Sequence, residues 1–160
     1  MIDIPAVNHV ADGVYIGGAR AVACASQLRQ AAITRVLKLY YGDPYWPPDF
    51  RVCENPFDDG EPVSRRQLDY GVSFVQEQVL AGRKVLVCCG AGISRSATVV
   101  LGYLLTSGRR LPDAWYLLKR RHPDGCPAFP LWESLFAAYD LPYSIRDVVE
   151  WYQTDVRSTD

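Results

Sequence analysis

The sequence predicts an α/β domain built on a central, mostly parallel sheet flanked by helices. Three observations predict it. Short β-like runs alternate with helical stretches along most of the chain. Val85-Leu86-Val87-Cys88 is apolar at every position, as a central strand covered on both faces should be. Residues 96–107 carry apolar side chains around almost the whole helical circumference, which places that helix in the middle of the molecule.

In chain order, Val14-Tyr15-Ile16 reads as a short strand closed by Gly17-Gly18. The Ala-rich residues 21–32 read as a helix with Leu28 and Ala32 on one side. Thr34 to Tyr40 is β-like, and residues 41–49 form a loop rich in Pro, Gly and aromatic residues. Residues 51–54 are a further strand, and residues 55–62 a second loop. Ser64 and Gln67 have capping-box spacing, so a helix starts there, lines Leu68, Val72, Val75 and Val79 on one face, and stops at Gly82. After the apolar strand and its Gly-rich loop comes the central helix. Pro112 suits the first turn of another helix, running to about Arg121. Residues 129–139 form a last core helix. Residues 1–140 are expected to form the catalytic domain, and 141–160 a polar, weakly patterned C-terminal extension.

The chain has 160 residues, 49% hydrophobic and 22% charged, enough for one domain with an ordinary core. A net charge of -1 with interspersed signs argues against nucleic acid held by a broad positive field. No apolar run approaches the roughly 18 to 20 residues of a membrane span, and the N-terminus lacks the pattern of a secretory signal. Five cysteines (Cys24, Cys53, Cys88, Cys89, Cys126) with no CxxC pair suggest neither a disulfide framework nor a zinc site. Free thiols imply a reducing, cytoplasmic setting.

The chemistry concentrates in Cys89-Gly90-Ala91-Gly92-Ile93-Ser94-Arg95-Ser96, between the apolar strand and the central helix. Ligands of α/β sheets bind at the carboxyl ends of strands. A helix start offers unpaired N–H groups and the positive end of a dipole. Glycines let successive N–H groups face one anion as a nest. The segment therefore suits phosphate before any side chain is considered. A cysteine at the base of such a nest is placed where helix dipole and cations favour thiolate, the nucleophilic form. Arg95 can pair bidentately with two phosphoryl oxygens and stays protonated. The Ser96 hydroxyl can donate a hydrogen bond to the sulfur and ease its departure.

The spacing Cys-x5-Arg-Ser after an apolar strand resembles the signature of protein tyrosine phosphatases, and most nearly their dual-specificity branch. Weaker likenesses extend over residues 10–140: Val14 to Gly18 and Ile33 to Leu37 are similar to that branch's first two strands. Leu117-Lys119-Arg120-Arg121, Pro127 and Leu131-Trp132 are similar to its C-terminal helices. The resemblance implies a single-domain protein tyrosine phosphatase-like fold, a phosphocysteine intermediate and no metal or other cofactor. Catalytic residues would be Cys89, Arg95, Asp59 and Ser96, with Gly90, Ala91, Gly92, Ile93, Ser94 and Arg95 binding the substrate phosphate. One departure stands out: the family usually has His directly before the nucleophile, and here Cys88 stands there. Adjacent thiols also offer a route to reversible oxidation. On a strand, however, Cys88 should point to the opposite face.

Expelling an alkoxide or phenoxide needs a proton donor. Asn55-Pro56-Phe57-Asp58-Asp59-Gly60 resembles the acid loop of the phosphatases of regenerating liver, where the second Asp is the donor. By that analogy Asp59 gives the proton and later activates water, with Asp58 the alternative. Asp-Asp-Gly also suits a plain turn. His9 and His122 have no ligand-spaced partners and read as surface or structural residues. The aromatic stretch Tyr40 to Trp46 is a core lid or a lip of the pocket. The basic clusters Arg65-Arg66, Arg109-Arg110 and Lys119-Arg120-Arg121 are solvated faces, with selection of acidic substrates by one of them as the alternative.

The expected function is hydrolysis of phosphomonoesters on protein Tyr, with Ser or Thr as further acceptors. The partner is a phosphorylated protein or peptide; no nucleic acid or membrane partner is expected, and a monomer is. The alternatives are a pseudophosphatase-type module that binds phosphoproteins, and a phosphatase of inositol phosphates or RNA and nucleotide 5′-phosphates. A cradle without Lys or His disfavours highly charged inositol phosphates.

Overall fold

The computed structural model describes residues 3–158, and side chains through residue 154. Five strands form one sheet: β1 (Val7–Ala11), β2 (Val14–Gly18), β3 (Ile33–Lys38), β4 (Arg51–Glu54) and β5 (Lys84–Cys89). Their order is β1-β2-β5-β3-β4. β5 lies at the centre and runs parallel to β2 and β3, and β4 runs parallel to β3. Among the named strands of the described residues, the edge hairpin β1–β2 is the antiparallel pair. The sheet is thus mixed but mostly parallel, as the apolar β5 run predicts. The helices are α1 (Ala25–Gln30), α2 (Arg65–Leu80), α3 (Arg95–Thr106), α4 (Leu111–Arg121), α5 (Phe129–Ala138) and α6 (Ile145–Ser158). No helix among the described residues is long and apolar enough to cross a membrane.

Side chains alternate across the pleat, so each strand supplies two cores. Val85, Val87 and Cys89 of β5 join Val14, Ile16, Leu37 and Leu39 in the larger core, beneath α2 to α5. Leu86 and Cys88 join Tyr15, Ile33 and Val36 in the smaller core, covered by α1 and by Tyr40, Trp46 and Phe50 of the aromatic loop. Neighbouring cysteines therefore lie on opposite sides of the sheet. α3 is buried at every position from Ser96 to Leu104, which satisfies its nearly all-apolar circumference.

Several expectations need correction. The predicted helix over 21–32 is a 3₁₀ segment, Ala19–Cys24, followed by the short α1. β1 was not anticipated, because Asn8 and His9 interrupt its apolar pattern. At α2, Ser64 Oγ accepts from Gln67 N at 3.1 Å, as a cap should. The Gln67 side chain does not complete the box; its Nε2 donates to the Pro56 carbonyl at 2.7 Å. The segment read as weakly patterned carries α6, whose Val148 is fully buried against the larger core. Its Tyr152 hydroxyl accepts from Trp132 Nε1 at 2.7 Å and from Cys126 Sγ at 2.9 Å.

Candidate active site

β5 ends at Cys89 and α3 begins at Arg95, so the segment between them has five residues in which to turn from strand into helix. Gly92 makes the turn at φ +73°, a region that L side chains rarely adopt. The loop also lies hard against the end of β2. A Cβ on Gly18 would sit 2.9 Å from the Gly90 oxygen and from the Ala91 carbonyl carbon.

Three carbonyls of the loop are held from outside. Ala19 N donates to Gly90 O at 2.9 Å, His122 Nε2 to Gly92 O at 2.5 Å, and Cys126 N to Ile93 O at 2.8 Å. A trans peptide carries its C=O and N–H on opposite sides. Holding these carbonyls outward therefore turns the N–H groups of Ala91, Ile93 and Ser94 the other way. None of those three donates to a backbone acceptor among the described residues. Ser94 is fixed as well: its Oγ accepts from Ala128 N at 2.8 Å. The result is a nest of inward donors at the N-terminus of a buried helix.

Cys89 sits at the floor of the nest, 2% exposed, with Ala91 and Ile93 on the exposed rim. Its Sγ is 3.1 Å from Ser96 Oγ, and Ser96 is fully buried. Cys88 faces the other core; burial above all, and the charge of Cys89 next, push its thiol pKa far up, so it stays neutral. Arg95 reaches across the loop, its Nη2 close beneath Gly90. Its Nη1 donates to the carbonyls of Leu39 and Phe57, both at 3.2 Å. The buried Nε has no partner among the described residues. The guanidinium is thus oriented by one edge, and its Nε–H is a buried donor left unpaired among the described residues.

The Phe57 contact ties the acidic loop to Arg95. That loop is also anchored by Asn55 N to Lys38 O, Asn55 Nδ2 to Gln67 O, and Gln67 Nε2 to Pro56 O. Asp58 and Asp59 follow directly, both exposed, and neither carboxylate hydrogen-bonds to another described residue. Cys89, Arg95, Ser96 and the loop are therefore assembled as the sequence suggests, and the two Asp side chains stand on an adjoining, tethered loop. Sequence reasoning missed Asn55 and His122. Asn55 is a buried amide in a Pro-containing loop, a detectable signal, whereas the partners of His122 are residues 8 and 92. Tyr40 and Trp46 are core residues, but Tyr41 and Tyr45 are exposed. A cavity of about 470 Å³ borders the outer flank of the loop, lined by Asn8, Gly18, Arg20, Gly92, His122 and Asp124 among others; it does not reach Cys89 or Arg95. No group of three or more His, Cys, Asp or Glu side chains that could hold a metal occurs among the described residues.

Residues 14–140 match the family described as "Dual specificity phosphatase, catalytic domain". The chain belongs to the dual specificity phosphatase family. Mouse dual specificity protein phosphatase 12 is 35% identical over 123 residues, covering 72% of this chain and 36% of the mouse protein. Human dual specificity protein phosphatase 8 is 31% identical over 137 residues, covering 80% of this chain and 21% of that protein. The chain thus spans about a third or less of these relatives. Among solved structures, human DUSP28 superposes with a TM-score of 0.76 at 28% identity, covering 85% of this chain and 94% of DUSP28. The architecture of the described residues, a mixed sheet of five strands with six α-helices, is that of the DUSP structures.

Proposed function

We propose that the chain is a phosphatase that hydrolyses phosphomonoesters on protein Tyr, and on Ser or Thr, through a phosphocysteine intermediate. The observation that carries this reading is Cys89 Sγ 3.1 Å from Ser96 Oγ, at the floor of a loop whose carbonyls are held outward and which Arg95 spans.

The Cys89 thiolate attacks phosphorus in line with the ester oxygen. An S–P bond forms as the P–O bond breaks, and the departing oxygen takes a proton from the acid-loop carboxyl, Asp59 in this reading. The inward N–H groups of the loop and the free edge of Arg95 hold the three non-bridging oxygens, stabilising the charge that spreads over them in the transition state. Asp59, now a carboxylate, then takes a proton from water as the water oxygen attacks phosphorus. The S–P bond breaks, inorganic phosphate leaves, and the Ser96 hydroxyl donates to the returning thiolate. Every proton and electron pair is accounted for by these residues and water. Membership in the dual specificity phosphatase family and the unpaired Arg95 Nε support the reading.

The test is hydrolysis of an aryl phosphate and of phosphotyrosine and phosphothreonine peptides without added metal. Wild type turns over and is inhibited by vanadate, and Cys89→Ser is inactive. Asp59→Asn loses most of kcat and the basic limb of its pH profile, and Asp58→Asn keeps both. An active Cys89→Ser overturns the mechanism; reversed Asp phenotypes move the acid to Asp58.

A further inference from the structure

The mechanism above uses neither imidazole of the chain, yet one is buried against the phosphate loop. His122 follows the last turn of α4 and is 7% exposed. Its Nε2 is 2.5 Å from Gly92 O, and its Nδ1 is 2.7 Å from Nδ2 of Asn8, on β1. A carbonyl only accepts, so Nε2 carries the proton in this contact. Nδ1 is then a lone pair, which the Asn8 amide N–H meets. The two contacts together define one tautomer and one ring orientation.

Gly92 is where this matters most. At φ +73° it occupies the part of backbone space open chiefly to glycine, and glycine lets the following peptide rotate at small cost. Because that peptide is rigid and trans, its C=O and the Ile93 N–H turn together. Holding the carbonyl on His122 keeps the N–H directed into the loop. Of the three outward carbonyls, those of Gly90 and Ile93 are held by backbone N–H groups; that of Gly92 is held by a side chain.

We infer that His122, oriented by Asn8, is a positioning residue that locks the Gly92–Ile93 peptide with its N–H facing the phosphoryl group. It touches neither substrate nor sulfur, and the inference rests on the phosphatase reading above. Within the loop it sets how well one donor is aimed, and so affects both anion binding and the ease of ionising Cys89.

The experiment compares wild type with His122→Ala, His122→Gln and Asn8→Leu in the full chain. The measurements are aryl phosphate kinetics, vanadate inhibition, the pH profile of Cys89 alkylation by iodoacetate, and Tm. His122→Ala is expected to lower kcat/KM roughly tenfold, less than the 10²–10³ seen when an oxyanion donor is removed outright. Vanadate weakens in parallel, and the alkylation profile moves to higher pH. His122→Gln, whose amide can still donate to Gly92 O, recovers most of the loss, and Asn8→Leu falls between. Wild-type kinetics and vanadate affinity in His122→Ala overturn the inference. So does a Gln variant as impaired as Ala when both melt like wild type. Should His122→Ala fail to fold, the Gln and Asn8→Leu variants decide: an unmoved alkylation profile in Asn8→Leu refutes the inference. A wild type that neither turns over nor binds vanadate refutes the phosphatase reading instead.

Discussion

Arg95 hydrogen-bonds through one edge of its guanidinium and leaves the other edge without a hydrogen bond among the described residues. Nη1 bonds the carbonyls of Leu39 and Phe57, while Nε has no partner among the described residues and Nη2 lies close to Gly90. A planar fork can face protein carbonyls along one edge and a phosphoryl group along another; an ammonium cannot. Arg95→Lys is therefore expected to do more than weaken substrate binding. In the proposed mechanism it gives up a two-oxygen phosphate contact, and it also releases the Asp58–Asp59 loop at Phe57. We expect kcat/KM to fall by about 10²-fold or more, with a loss in kcat as well as a rise in KM. Steady-state kinetics read both. An unchanged kcat would show that the Phe57 tether does not serve catalysis.

At the scale of elements, the segments legible in the sequence are those with short-range signals. α2 declares itself by Ser64 at the cap and by apolar residues four apart, β5 by its unbroken apolar run, and α4 by Pro112 in its first turn. The Cys89–Arg95 loop was legible as a strand-to-helix turn for the same reason: the cysteine, the glycines and Arg95 lie within seven consecutive residues. What was not legible depends on distant partners. The apolar residues of α6 are interleaved with charges, and the surface they cover, around Trp132 and Tyr143, is formed elsewhere in the chain. His122 likewise looks like any isolated imidazole until the fold brings Gly92 and Asn8 to it. The α2 cap gives a clean test of a local signal: Ser64→Ala removes the acceptor for Gln67 N and is expected to cost about 1 kcal/mol of stability. Urea denaturation reads this as a lower midpoint at unchanged slope. A shift indistinguishable from zero would mean that Gln67 and the acid loop, joined through Pro56, hold the helix start without the cap.

The whole molecule is organised so that distant parts converge on five residues. β1, β2 and the start of the 3₁₀ segment press on the loop from one side, through Asn8 by way of His122, through Gly18 and through Ala19 N. The α4–α5 connection holds it from another, through Cys126 N and Ala128 N. α6 closes over that connection: Tyr152 hydrogen-bonds Cys126 and Trp132, and Trp132 packs against Trp115, Phe136 and Trp151 at ring distances of 5.2 to 5.9 Å. Trp132 is fully buried at the centre of this aromatic cluster. Trp132→Ala is expected to lower unfolding free energy by about 3–5 kcal/mol. That is a large share of the roughly 5–15 kcal/mol that a domain has in total. Thermal melts followed by near-UV circular dichroism test this; a loss under about 1 kcal/mol would mean that α6 and α5 repack without the indole.

Gly18 ends a strand outside the recognised motif and carries no functional group, yet there is no room beside it for even one methyl. A methyl there would press on backbone atoms, which cannot swing aside as a side-chain tip can, so the two peptides that begin the anion nest would have to move. One of those peptides carries the Ala91 N–H, which in the proposed mechanism donates to a phosphoryl oxygen. A survey of variants that ranked positions by chemical character would pass over this one as inert. A survey by turnover would group it with the catalytic segment, because the outer wall of a nest determines the shape of its inside.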